Sequence, residues 1–255
     1  MARGFVDIHC HLIYGIDDGP RTLKESAAML GAAYGNGTRA VIATSHMFPG
    51  VREFQEFLYY QRVDELREYC KTREMDLTIL TGAEVFYTEL TTRFLSERRI
   101  PTLGESDYVL VEFHPSVKYD EICNAVVGIR RVGYHPVLAH VERYGCLINF
   151  PRRMEELRKR YSAVLQMNCS SVLGGKGWLR DRQARRALEE ELIDVVASDA
   201  HNNSSRAPRM QEAYAYLEEK FDREYAESLT GMSWDLGANE NLTRHTPDMG
   251  SADGI

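Results

Sequence analysis

Short apolar runs alternate with longer stretches of helical period along the first 230 or so residues of the chain. Phe5, Val6 and Ile8 open it as a buried strand. Residues 39–44 (RAVIAT), 77–81 (LTILT), 108–113 (YVLVEF), 136–139 (PVLA), 163–167 (AVLQM) and 193–197 (IDVVA) share that character. They are too short for helices, and turn residues bound them. Between them apolar residues recur every three or four positions. Thr22-Leu23-Lys24-Glu25 is a capping box whose hydroxyl and carboxylate can each satisfy an exposed backbone N–H. A helix is therefore expected to run from it to about Gly35. Further helices are expected over 53–74, 89–97, 120–131, 154–160 and 178–191, and one long helix over 208–229.

Seven strand–helix alternations without a Pro/Ser-rich linker or a fixed repeat predict an α/β domain with a parallel sheet. The sheet is either closed as a barrel or doubly wound. From about Asp235 the periodicity fades and Gly, Asn and Thr accumulate. The expectation is one domain over residues 1–234 and a loose tail over 235–255.

The strand ends carry the chemistry. His9, His11, His46, Glu84, Glu112, His140, Asp199 and His201 all fall at or just after the C-terminal end of an expected strand. Six of the eight histidines occupy such ends, His114 included, and only His135 and His245 do not. In closed β/α barrels that is the face on which the βα loops converge and active sites lie. Side chains alternate along a strand, so Asp7, His9 and His11 are expected on one face. Two imidazoles so placed can grip one cation while the carboxylate orients a ring. Leu110, Glu112 and His114 alternate against Val109, Val111 and Phe113, and a carboxylate on a buried strand needs a partner such as a cation. Each residue alone has a plainer reading. His140 would serve as a hydrogen-bonded core histidine, His46 as a loop cap and Glu112 as a solvated strand end. Their common position favours function. The donors outnumber the places around one tetrahedral ion, and Glu84 has two oxygens with which to bridge, so two or three ions of Mn, Fe or Zn are expected.

Composition narrows the setting. A net charge of −7 leaves no electrostatic footprint for nucleic acid. Five cysteines, at 10, 70, 123, 146 and 169, are odd in number and show no close pairing, which suits a reducing compartment. There is no apolar signal segment at the start and no run long enough to span a bilayer. A soluble, cytoplasmic protein without membrane insertion is expected.

DIHCH at 7–11, DDGP at 17–20, TSH at 44–46, GAEV at 82–85, IPTL at 100–103, LVEF at 110–113, VLAHVERY at 137–144 and ASDAHN at 197–202 together resemble the PHP-domain metallophosphatases. More narrowly, they resemble the bacterial manganese-dependent protein-tyrosine phosphatases of capsule and exopolysaccharide systems. The resemblance covers residues 5 to about 220. It implies a distorted seven-stranded β/α barrel with a trinuclear site. Its ligands would be His9, His11, Asp18, His46, Glu84, Glu112, His140, Asp199 and His201. Arg143 and Arg206 would bind phosphate, the latter by spacing alone across the polar loop 202–205. The implied partner is a phosphotyrosine protein, a bacterial tyrosine autokinase with a Tyr-rich tail. Two features depart from the family: Met47-Phe48-Pro49 stands where more polar residues are expected, and His114 lies outside the pattern.

The chemistry implied is phosphoester hydrolysis by metal-hydroxide attack, the pKa of the water falling from ~15.7 to about 7. Arg143 and Arg206 would fork onto phosphoryl oxygens. A phenolate leaving group, pKa about 10, needs little protonation. His201 or His114 could assist. Three alternatives compete. Cys146 and Arg152 match the C-x5-R of cysteine-dependent phosphatases, although the loop between them is apolar and contains Pro151. A histidinol-phosphate phosphatase or nuclease could share the barrel. A non-catalytic metal-binding regulator would be expected to lack ligands, and none is missing.

Overall fold

Seven strands form among the described residues, 4–232, and every pairing between them is parallel in this computed structural model. They are β1 (Phe5–Cys10), β2 (Thr38–Met47), β3 (Thr78–Phe86), β4 (Tyr108–Glu112), β5 (His135–Leu138), β6 (Val164–Asn168) and β7 (Val195–Ala197), hydrogen-bonded in sequence order. The helices are α1 (Leu23–Gly35), α2 (Glu56–Thr72), α3 (Thr91–Ser96), α4 (Tyr119–Arg131), α5 (Gly145–Ile148), α6 (Pro151–Lys159), α7 (Cys169–Val172), α8 (Trp178–Glu189), α9 (Met210–Lys220) and α10 (Arg223–Leu229).

Alternation along the strands divides the core. Val6, Ile8, Ile42, Leu110, Val137 and Ala197 meet inside the sheet, so the barrel is filled and is not a pore. Val41, Val111, Leu138, Leu165 and Val196 face the helices. The barrel is nearly closed. Asp199 N donates to His9 O at 2.8 Å and His11 N to Ala200 O at 2.9 Å, joining the last strand to the first at the carboxyl end. At the other end β7 is too short to reach, and Val6 N instead donates to Thr230 O at 3.1 Å, just past α10.

Three sequence expectations change. β1 carries one more residue than β2 between its pairings Asp7↔Val41 and Cys10↔Ala43. This bulge breaks the period of two, so Asp7 lies on the helix-facing side with Cys10, Val41 and Ala43 and not with His11. Its buried carboxylate accepts from Ser198 N at 2.9 Å and from Ser198 Oγ. Asp7 therefore ties β1 to the end of β7 and orients no imidazole. The long C-terminal helix is also two helices. Asp222 accepts from Tyr225 N at 2.8 Å and so caps a new helix, α10, in mid-segment. Thr22 caps α1 as expected, accepting from Glu25 N at 3.3 Å, but Glu25 reaches Arg21 N and not the cap residue. The expected tail at 235–255 lies outside the described residues.

Candidate metal centre

Register builds the floor of the site. His46 of β2 lies beside Glu84 of β3, which lies beside the inward-facing Leu110 of β4. One step further on, Phe86 lies beside Glu112. The inner face thus changes from apolar to metal-binding types as the strands approach the rim. Gly82, two residues before Glu84, permits this packing, since a Cβ there would lie 2.8 Å from Ile42 Cγ2. His140 follows β5 and Asp199 follows β7, both with left-handed backbone, φ 35° and 51°. Such strain in non-glycine residues is held by surrounding bonds. His140 N donates to Gln166 Oε1 at 2.8 Å, and Asp199 N is fixed by His9 O.

The side chains converge as three overlapping groups able to hold cations: His9, His11 and Glu84; His46, Glu84 and Glu112; and His11, Asp18, His46 and His201. Glu84 Oε2 is 3.3 Å from His9 Nε2 and 3.1 Å from both His11 Nε2 and His46 Nδ1. Its other oxygen is 2.8 Å from His140 Nε2. Asp199 Oδ1 joins at 3.5 Å from His9 Nε2, and Asp18 Oδ1 lies 3.2 Å from His201 Nε2. The structure therefore brings His140 and Asp199 against the groups that hold the other seven expected ligands.

The donor set fits a cation. Among the described residues, His46 Nδ1 and His201 Nε2 are buried without a hydrogen-bond partner, although carboxylate oxygens lie 3.1 and 3.2 Å away. Short distances without hydrogen-bond geometry are what donors aimed at a common point produce. Charge agrees. Burial works to lower the pKa of His11, His140 and His46, but the carboxylates override it and raise them to about 9, about 9 and about 11. Burial likewise opposes ionisation of Glu84, yet His9, His11 and His140 hold it well below the carboxylate range. The His201 and His46 rings beside it hold Asp18 low. This cluster of carboxylates requires positive charge, whether protons or metal ions.

The outer ring nitrogens are held separately, which leaves the inner ones to converge. His9 Nδ1 meets Gln166 Oε1 at 3.2 Å, His11 Nδ1 meets Asp17 Oδ2 at 2.9 Å, and His201 Nδ1 meets Asp199 O at 3.0 Å. Asp17 also accepts from His46 N and Gly19 N, both at 3.0 Å. Burial raises its pKa, but the His11 bond dominates with these and brings it to about 2. Asn168 Nδ2 donates to Asp199 Oδ2 at 2.7 Å, and Gln166 Nε2 to Asn168 Oδ1 at 2.8 Å. Sequence reasoning passed over Asp17, Gln166 and Asn168 as site residues. A signal existed for the last two, polar residues two apart in an otherwise apolar strand.

Arg143 and Arg206 both pair with Asp199, Arg206 at 2.9 Å, and Arg206 Nη1 also lies 3.4 Å from Asp18 Oδ2. With 42 % and 38 % of their side chains exposed, both stand at the mouth. His114 is not in the donor groups. β4 ends at Glu112, so its alternation does not extend to residue 114, and the exposed ring bonds Ser116 Oγ at 2.7 Å. Cys146 sits in α5, and burial pushes its thiol pKa up, opposite to what a nucleophilic thiolate requires. Arg152 is exposed in α6.

Seven parallel strands with cation-binding groups at their carboxyl rim place the chain among the metal-binding β/α barrels. It belongs to the CpsB/CapC family of capsular polysaccharide synthesis, whose model matches residues 5–233. It is 37 % identical over 228 residues to the tyrosine-protein phosphatase CpsB of Streptococcus pneumoniae, covering 88 % of this chain and 94 % of that one. Its identity to the tyrosine-protein phosphatase YwqE of Bacillus subtilis is 31 % over 244 residues, 95 % of each. A crystal structure from work on YwqE and CpsB, described as unique metal-dependent tyrosine phosphatases, superposes with a TM-score of 0.81 at 30 % identity over 89 % of this chain and 91 % of that one. Histidinol phosphate phosphatase of Lactococcus lactis matches at a TM-score of 0.57 and 14 % identity over 91 % of this chain and 99 % of that one, a likeness of fold alone. No helix among the described residues is long and apolar enough to cross a membrane.

Proposed function

We propose that this chain is a metal-dependent protein-tyrosine phosphatase that hydrolyses phosphotyrosine on a cytoplasmic protein, a bacterial tyrosine autokinase of polysaccharide synthesis. The observation that carries this reading is the convergence of imidazole and carboxylate donors beside two guanidiniums at one rim. His9, His11, Asp18, His46, Glu84, Glu112, His140, Asp199 and His201 would hold two or three manganese ions. When bound, these would supply Lewis acidity toward the phosphoryl group and lower the pKa of the attacking water.

The remaining work falls to the chain. Arg143 and Arg206 each carry five N–H donors, of which Asp199 occupies part. Those left over fork onto the non-bridging oxygens and counter the charge that grows as the P–O bond breaks. Asp199 sets where both guanidiniums stand. Burial, with His11 and Arg206 adding to it, keeps the His201 pKa below its ordinary value. That favours the neutral ring, which suits metal binding over proton donation. That is tolerable because a phenolate, pKa about 10, leaves with little assistance. Relatedness to proteins named tyrosine phosphatases supports the choice of ester.

The test is turnover of a phosphotyrosine peptide after chelation and after readdition of Mn, Fe or Zn. Activity is expected to vanish with chelation and return most fully with Mn. Undiminished turnover in the stripped protein would contradict the proposal.

A further inference from the structure

The side-chain layers of the barrel do not end with the donors. In β2 and β3, Ile42 pairs with Leu80, Thr44 with Gly82 and His46 with Glu84. Phe86 follows Glu84 by two residues and pairs with Glu112, and Phe48 follows His46 by two. The Phe48 ring stacks on Phe86 with centroids 5.6 Å apart at 29°, and its centroid is 5.7 Å from that of His46. Two phenyl rings thus stand at the rim beside the donors, Phe86 level with Glu112 and Phe48 just past the end of β2 against His46.

Neither ring is packed in the three core clusters, and both are only partly buried. Phe48 also lines a cleft with Ile16, His46, Arg52 and Phe54. The backbone beneath it is fixed. Val51 N donates to Phe48 O at 3.0 Å, and Thr88 Oγ1 donates to Pro49 O at 2.9 Å, tying the loop after β2 to the loop after β3. The backbone of the platform is therefore held in place, which lowers the cost of ordering it on binding.

Resting on the phosphotyrosine reading above, we propose that the Phe48–Phe86 pair is a subsite for the aromatic ring of the substrate and makes the site selective for aryl over alkyl phosphoesters. In an aryl phosphate a single ester oxygen separates phosphorus from the ring. A phosphoryl group seated among the donors therefore carries its ring toward the rim. There its ring would lie against the partly buried Phe48 and Phe86. A phosphoserine group has only a methylene and backbone to offer and leaves those rings against water. The apolar Met47-Phe48-Pro49 at this rim, where more polar residues were expected, acquires a purpose.

The test compares the full metal-loaded chain with F48A, F86A and F48Y on two peptides of one sequence, carrying phosphotyrosine or phosphoserine. Metal content and melting temperature are measured for each. The aryl-to-alkyl ratio of kcat/KM should fall about three- to tenfold in F48A and F86A, mainly through KM for the aryl ester, and recover in F48Y. An unchanged ratio, or equal losses on both peptides, would overturn the proposal. Binding of phenylphosphonate against methylphosphonate by calorimetry separates this idea from the assignment of activity, because it needs no turnover. Preference for the phenyl compound, lost in F48A, supports the subsite even if no phosphotyrosine is hydrolysed. No preference in the parent chain would overturn it.

Discussion

His46 and Glu84 are register partners on adjacent strands, and His46 Nδ1 lies 3.1 Å from Glu84 Oε2 with no hydrogen bond between them. Two groups that close in a buried site either share a proton along their line of contact or share a cation off it. The lack of hydrogen-bond geometry fits the second. Glu84 is central, because its two oxygens reach four imidazoles. Glu84→Gln keeps the shape but gives up the charge. Metal content measured by plasma mass spectrometry should fall by at least one ion per chain. Turnover should drop by more than about 100-fold, exceeding the loss typical of residues that only orient ligands.

Asp17 is the residue whose role was least visible and whose position is most telling. It holds His11 Nδ1 and the His46 backbone N–H at once. Asp17→Asn should weaken metal binding about 10- to 100-fold without abolishing it. Activity should return at high manganese concentration, as a titration would show.

The pH dependence of stability has a defined sign in the metal-free protein. His11, His140 and His46 have pKa values raised from 6.5 to about 9, about 9 and about 11. Groups raised on folding bind more protons folded than unfolded. Their contribution is complete below 6.5 and is lost as pH rises through about 9 for His11 and His140 and through about 11 for His46. Glu84 and Asp18 are lowered on folding, so their contribution holds above the ordinary carboxylate range and is lost in acid. The melting temperature of chelated protein should therefore fall between pH 6.5 and 9. With metal bound, the histidines need no protons, and the stabilisation by metal should grow over the same interval. A flat profile for the chelated protein would contradict this charge assignment.

Cys146→Ser separates the two phosphatase chemistries. The thiol pKa is raised by burial. The substitution should leave kcat/KM within about twofold, since Cys146 lies outside the donor groups and the change is a small one. Loss of activity with the metal content intact would favour thiolate attack.

Much of this was legible in the sequence, and the reasons are physical. Strands and donors obey short periods, so His46, Glu84 and Glu112 could be placed at strand ends from local pattern alone. Asp7 could not, because one extra residue in β1 turns it to the other face, and a bulge leaves no mark in a run of apolar and polar letters. His114 failed for the opposite reason: a period was carried past the end of its strand. The break between α9 and α10 lay in a single capping aspartate, Asp222, within an otherwise helical segment. The bonds of Asp17, Gln166 and Asn168 join residues distant in the chain and emerge only when the barrel closes.

The most direct test of the metal centre is anomalous diffraction from crystals grown with manganese. The account predicts at least two anomalous peaks, each within about 2.5 Å of donor atoms, with Glu84 touching more than one peak. An active crystal form with no peak among His9, Glu84, His140 and Asp199 would contradict it.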